Sequence, residues 1–163
     1  MDTPVRVLFV AASAADAEPL LEELGRAGLK VSAEVVCNAV EMQTAVGQKV
    51  WDLVLSDYEF PGFGALPALA LAEAAGLDAP FLVVSDAVSE DGGVRAPRAG
   101  ARNCLSKSSP PGLASSVKRE LGESRLRRER RRARQELSES ESRFRALAEI
   151  GRASCRERVS SVV

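Results

Sequence analysis

The chain has 163 residues, 22 Lys+Arg against 23 Asp+Glu, no histidine, and 45% apolar residues of which few are aromatic. That length suits one domain of ordinary size plus an appendage, with a core built from Val, Leu and Ala. The missing histidine excludes a serine–histidine triad and a histidine phosphodonor within the chain.

No apolar run approaches the roughly 18 residues of a membrane span. Met1–Val10 lacks the basic start and long apolar stretch of a signal peptide. Cys37, Cys104 and Cys155 are odd in number and widely spaced, against a disulfide framework or a zinc site. A cytoplasmic protein without membrane association is expected. The net charge of −1 conceals two halves: residues 1–110 carry 8 basic against 15 acidic residues (−7), and residues 111–163 carry 14 against 8 (+6). The change falls near Pro110-Pro111, so two differently built pieces are expected.

In chain order, Val5–Ala11 (VRVLFVA) reads as a first buried strand. Ala14–Ala27 has helical spacing at Ala17, Leu20, Leu21, Leu24 and Ala27, with Gly28 as its stop. Val31–Val36 alternates as a second strand. Asn38 caps a helix from Ala39 to Gln48, with Glu41 as capping-box partner. Trp51–Leu55 is an apolar run suited to a strand buried on both faces; it stops at Ser56-Asp57, so Asp57 ends that strand. Pro61-Gly62 mark a turn, and an Ala/Leu-rich helix follows over Ala65–Ala75. Pro80–Ser85 is a fourth strand. Ser89–Ala99 is a weak helix carrying Gly92, Gly93 and Pro97. Arg102–Leu105 is a short fifth strand, and Leu113–Leu121 begins the last helix.

Five strands, each followed by a helix, predict an α/β fold with parallel pairing. Asp57, Ser85 and Lys107 each lie at or just past the end of a predicted strand, where ligands gather in open α/β sheets. Taken singly, Asp57 reads equally as a turn former, and Ser85 or Lys107 as surface.

Over residues 4–122 the chain resembles the receiver domain of bacterial two-component response regulators. The residues that carry this are WDLVLSDYEFPGFGALPAL, PFLVVSD and RAGARNCLSKSSP, with VRVLFVAASAADAEPLLEELGRAGLKV at the start. The resemblance implies a (βα)5 flavodoxin-like doubly wound parallel sheet over residues 1–122, and Asp57 as phosphoacceptor for a sensor histidine kinase. It also implies that Lys107 pairs with the phosphoryl group, that Ser85 hydrogen-bonds it, and that Mg2+ is held by Asp57 and the backbone carbonyl of Glu59. The acidic pair that usually holds this metal is replaced by Ala11 and Ala12; Asp86 and Asp16 are the available substitutes. The aromatic switch position of the fifth strand is Cys104. A receiver is a regulatory domain rather than an enzyme. These departures keep open a pseudo-receiver, an interaction module independent of phosphorylation. A flavin- or nucleotide-binding relative is disfavoured, because Ala11–Ala15 (AASAA) is no Gly-rich phosphate loop.

Residues 123–149 read as an extended helix or coiled-coil linker through which two copies could pair. The series Leu126, Arg130, Ala133, Leu137, Ser140, Phe144 and Leu147 gives a modest seam. Seven of the ten residues from Arg125 to Arg134 are Arg. Such a run can bind nucleic acid or an acidic membrane surface, but a solvated face paired with Glu129 and Glu136 is the simpler reading, and no base-reading motif follows; no nucleic-acid or membrane partner is expected. ELSESESRFRALAE resembles the signalling helix that enters PAS sensor domains, which implies a downstream output domain. IGRASCRERV, at residues 150–159, resembles the translation of a DNA-sequencing adapter, so residues 150–163 are expected to be non-native or disordered.

Overall fold

The computed structural model describes residues 3–85, 103–106 and 110–160. The chain divides into two compact units, Met1–Ser124 and Arg125–Val163.

In the first unit, strands β1 (Val5–Val10), β2 (Val31–Val36), β3 (Leu53–Asp57), β6 (Phe81–Ser85) and β7 (Asn103–Ser106) form one sheet in the order β2-β1-β3-β6-β7. All of its pairings are parallel. Strands β4 (Glu59–Phe60) and β5 (Phe63–Gly64) form a separate antiparallel ladder. The helices are α1 (Ala14–Arg26), α2 (Ala39–Gln48), α3 (Ala65–Ala74) and α4 (Pro110–Ser160). This is the α/β fold with parallel pairing that the alternating strand and helix patterns predict, in the flavodoxin-like order that the resemblance implies, with a long C-terminal helix.

Alternation along the central strands divides the core between the two faces of the sheet. Leu8, Val10, Val54 and Val83 pack with Met42, Ala45, Ala68 and Leu69 from α2 and α3. Val7, Phe9, Leu53, Leu55, Leu82 and Val84 pack with Ala17, Leu20 and Leu24 from α1 and with Leu113 and Val117 from the start of α4. The middle strands β1, β3 and β6 are therefore buried on both sides, which is why they read as unbroken apolar runs. β2 is an edge strand: only Val36 is buried, and Glu34 pairs with Lys49.

Local chemistry sets the element ends. Asn38 Oδ1 accepts the backbone N–H of Glu41 at 3.0 Å, and Glu41 Oε2 accepts that of Cys37 at 2.8 Å. The expected capping box thus closes one residue earlier than its usual reciprocal bond. After α1, the Leu29 amide donates to Leu24 O and the Gly28 amide to Gly25 O, both at 3.0 Å. This is a Schellman stop, and Gly28 takes the positive φ of 84° that it requires. Lys118 Nζ donates to Ala27 O at 2.7 Å, placing a cation from α4 on the same helix end.

Several boundaries differ from expectation: β1, α1 and α3 each end one residue early, and the fourth strand begins one residue late, at Phe81. The third strand begins at Leu53 rather than Trp51, because the buried indole Nε1 of Trp51 donates to Ala45 O at 3.0 Å and ties the chain to α2 before it enters the sheet. The fifth strand is shifted one residue, to Asn103–Ser106. Helix α4 already starts at Pro110, since prolines in a first turn forgo donors that no carbonyl would accept there. The weak helix expected over residues 89–99, and with it Asp86, Gly92, Gly93 and Pro97, lies outside the described residues.

The second unit is helical from Arg125 through Ser160. Leu126, Leu137, Phe144, Leu147 and Ile150 are all exposed on it. The helix continues through residues 150–160, the stretch that resembles a translated adapter; this bears on its conformation, not its origin. Among the described residues, no helix is long and apolar enough to cross a membrane.

Candidate phosphoacceptor site

In the sheet order β2-β1-β3-β6-β7, the chain leaves β1 in one direction to reach β2 and in the other to reach β3. The carboxyl ends of β1 and β3 therefore flank the topological switch point, where open α/β sheets hold their ligands. Asp57 is the last residue of β3 and is only 7% exposed. Its place follows from the strand's chemistry: Leu53, Val54 and Leu55 drive the strand into the core and carry the carboxylate to the carboxyl end of the sheet. Ser56, also buried, donates its hydroxyl to Asp57 O at 2.9 Å.

The register aligns the other expected residues along the same end of the sheet. Asp57 pairs with Val84, so Ser85, the half-buried last residue of β6, lies one step beyond it on the neighbouring strand. Ser85 pairs in turn with Ser106, the last residue of β7. Lys107 follows directly in sequence but lies outside the described residues. The structure thus brings Asp57 and Ser85 together on adjacent parallel strands.

The turn after Asp57 is more ordered than expected. The Tyr58 amide donates to Val84 O at 2.9 Å, and Tyr58 O accepts from the Ala65 amide at 3.0 Å. Between them Glu59–Phe60 and Phe63–Gly64 pair as a small hairpin around Pro61-Gly62. Gly62 has φ 84°, as the second turn residue after Pro requires. Phe60 and Phe63 meet edge to face, with ring centroids 6.2 Å apart. Glu59, whose carbonyl was expected at the metal, belongs to this hairpin two residues past Asp57. Aromatics on either side of Pro-Gly were the signal for it.

The two alanines differ from each other. Ala12 is exposed. Ala11 is fully buried among Val7, Phe9, Leu55 and Val84, and its amide donates to Val36 O at 3.2 Å. The last β1–β3 pair is Val10 with Ser56. One further step along that register sets Ala11 beside Asp57. A methyl group thus stands beside the Asp57 carboxylate.

Among the described residues, this end of the sheet offers one buried carboxylate, Asp57, to a Mg2+ ion. Such an ion takes hard oxygen ligands, normally one or two carboxylates with waters. No group of three or more His, Cys, Asp or Glu that could hold a metal occurs among the described residues. Asp16, one proposed substitute, is exposed and accepts the Ser13 hydroxyl at 2.7 Å at the start of α1. Cys104, at the expected switch position in β7, is half-buried against the α2/α3 side of the core, and burial pushes its thiol pKa up.

No protein-family model matches the sequence, and no curated protein sequence matches it. Solved structures do match. A CheY-like response regulator receiver domain protein from Methanospirillum hungatei JF-1 is 20% identical, with 77% of this chain and 99% of that one covered and a TM-score of 0.64. The receiver domain of a sensor histidine kinase from Pseudomonas aeruginosa PAO1, with magnesium coordinated in its active site cleft, is 16% identical over 74% of this chain and 99% of that one, at a TM-score of 0.62. A response regulator protein from Burkholderia pseudomallei with a phosphorylated aspartic acid is 23% identical over 72% of this chain and 66% of that one, at 0.57. Sheet order, register and these likenesses agree that residues 1–124 have the fold of response regulator receiver domains.

Proposed function

We propose that this domain is a signal receiver in a two-component phosphorelay. It accepts a phosphoryl group on Asp57 from the phosphohistidine of a sensor histidine kinase and relays the event through the C-terminal helix. One observation carries the reading: a buried carboxylate ends the central strand at the switch point, with Ser85 one step away on the next strand. In the reaction a carboxylate oxygen of Asp57 forms a bond to phosphorus as the phosphorus–nitrogen bond of the donor breaks. The departing imidazole nitrogen takes up a proton. Negative charge spreads over the equatorial oxygens, so the protein's work is positioning and neutralisation. The Ser85 hydroxyl serves as a hydrogen-bond donor to those oxygens, and Lys107 as the cation. One group is transferred per signalling event, so the domain is regulatory rather than an enzyme. The phosphorylated aspartic acid of the Burkholderia relative supports this assignment.

A second reading, a pseudo-receiver that binds a protein partner without phosphorylation, is favoured by the buried methyl of Ala11 beside Asp57. The two separate on one comparison. A receiver loses its phosphoryl adduct and its signalling output in an Asp57→Asn variant; a pseudo-receiver forms no adduct and keeps its partner in Asp57→Ala.

A further inference from the structure

Four exposed large apolar residues of the second unit, Leu126, Leu137, Phe144 and Leu147, fall in one 4–3 series with Arg130, Ala133 and Ser140, on a helix that leaves them in solvent. Such a series is the spacing of a coiled-coil seam, with Arg130, Leu137 and Phe144 at one core position and Leu126, Ala133, Ser140 and Leu147 at the other. The seam asks for an occupant, and the charges beside it choose among the candidates.

A second copy in parallel register would stack each core residue on itself. Arg130 would face Arg130, and the seven arginines of Arg125–Arg134 would lie beside seven more. On the flanks the pairing of Glu129 with the second copy's Arg134 would be offset by that of Glu136 with its Glu141. Like charges in and beside a seam set partner orientation by repulsion.

The antiparallel arrangement leaves fewer conflicts: like charges meet only at the two-fold axis, Arg134 beside the second copy's Arg134 and Glu136 beside its Glu136. With Leu126 against the second copy's Phe144, the next layers are Arg130 against its Ser140 and Ala133 against its Leu137, repeated by symmetry. Large residues then meet apolar residues, and the seam arginine meets a hydroxyl rather than its own kind. Along the flanks Arg127 lies beside the second copy's Glu141, and Glu129 beside its Arg143. The basic segment lies against the stretch that holds Glu136, Glu139 and Glu141. Shifted one heptad, the antiparallel pair sets Arg130 on Leu147 and Leu137 on Ser140; shifted the other way, it sets Arg130 on Ala133 and shrinks to four layers, with Phe144 and Leu147 left uncovered. We therefore infer that the C-terminal helix pairs with a second copy of this chain as an antiparallel coiled coil, with Leu126 opposite Phe144. The inference goes beyond the receiver reading and does not depend on chemistry at Asp57, so the two fail separately.

The test uses the full chain with Cys37, Cys104 and Cys155 replaced by Ser. Leu126→Cys and Phe144→Cys proteins are oxidised separately and as a mixture, and oligomeric state is measured by sedimentation equilibrium. The expected result is a dimer whose mixture gives mainly the 126–144 disulfide. Leu137→Glu, with its folded first unit verified by Trp51 fluorescence, weakens that dimer by at least roughly tenfold. Dominant 126–126 and 144–144 disulfides would overturn the orientation. A monomer, or a chain that associates only when short duplex DNA is added, would overturn the second copy as occupant.

Discussion

Replacing Ala11 by Asp probes the arrangement around Asp57 more directly than any other substitution. The methyl of Ala11 is fully buried, and register sets it level with Asp57 on the adjacent strand. Neighbouring strands are about 4.8 Å apart, so two carboxylates there repel by roughly 3 kcal/mol at an effective dielectric constant near 20. In Mg2+-free buffer Ala11→Asp should therefore lose about 3 kcal/mol of stability, which lowers the urea midpoint by roughly 1 M or more. Trp51, the single tryptophan and 3% exposed, reports the transition by fluorescence. Adding Asp57→Asn to the variant removes one of the two charges and should restore most of the loss. If the repaired site binds Mg2+, a concentration ten times the dissociation constant should return about 1.4 kcal/mol, with no such effect on the parent chain. Unchanged stability of Ala11→Asp, or a loss indifferent to Asp57→Asn, would refute the placement of residue 11 beside Asp57.

Other expectations follow from the same geometry. Asn38→Ala should cost about 1 kcal/mol in urea denaturation, as removal of a helix N-cap does, since Asn38 Oδ1 accepts the Glu41 amide. Gly62→Ala should destabilise by about 1–2 kcal/mol: no atom crowds the new methyl, but φ is 84°. In thiol labelling followed by peptide mass spectrometry, exposed Cys155 should react well before Cys104, whose burial opposes the thiolate. The same sign means that ionisation of Cys104 opposes folding at alkaline pH. Stability gained from keeping its thiol neutral is present below the ordinary thiol pKa and lost as pH rises, and Cys104→Ala should flatten that decline.

Much of the fold was legible because the sequence states it twice. The central strands are apolar on both faces, and the helices between them carry their own stops, Asn38 before α2 and Gly28 after α1. Where one signal stood alone, boundaries slipped. Trp51 looked like strand because it is apolar, yet its indole is spent on a carbonyl of α2, a contact that no local pattern encodes. The Glu59–Gly64 hairpin was missed because a two-residue strand is too short for alternation to register, although Pro-Gly between Phe60 and Phe63 marked it. At the site, Asp57 and Ser85 were legible from their positions at strand ends. The unequal fates of Ala11 and Ala12, one sealed in the core and one exposed, depend on strand register, which appears only when β1 and β3 pair.

The central claim, that Asp57 accepts a phosphoryl group, is tested most directly by intact mass. The protein is incubated with a small-molecule phosphodonor, with and without Mg2+, beside Asp57→Asn. The account predicts one phosphoryl adduct per chain, absent from the variant, with its rate raised when Ala11 and Ala12 are both replaced by Asp. An adduct that persists in Asp57→Asn would contradict it. So would the absence of any adduct from both the parent and the repaired chain.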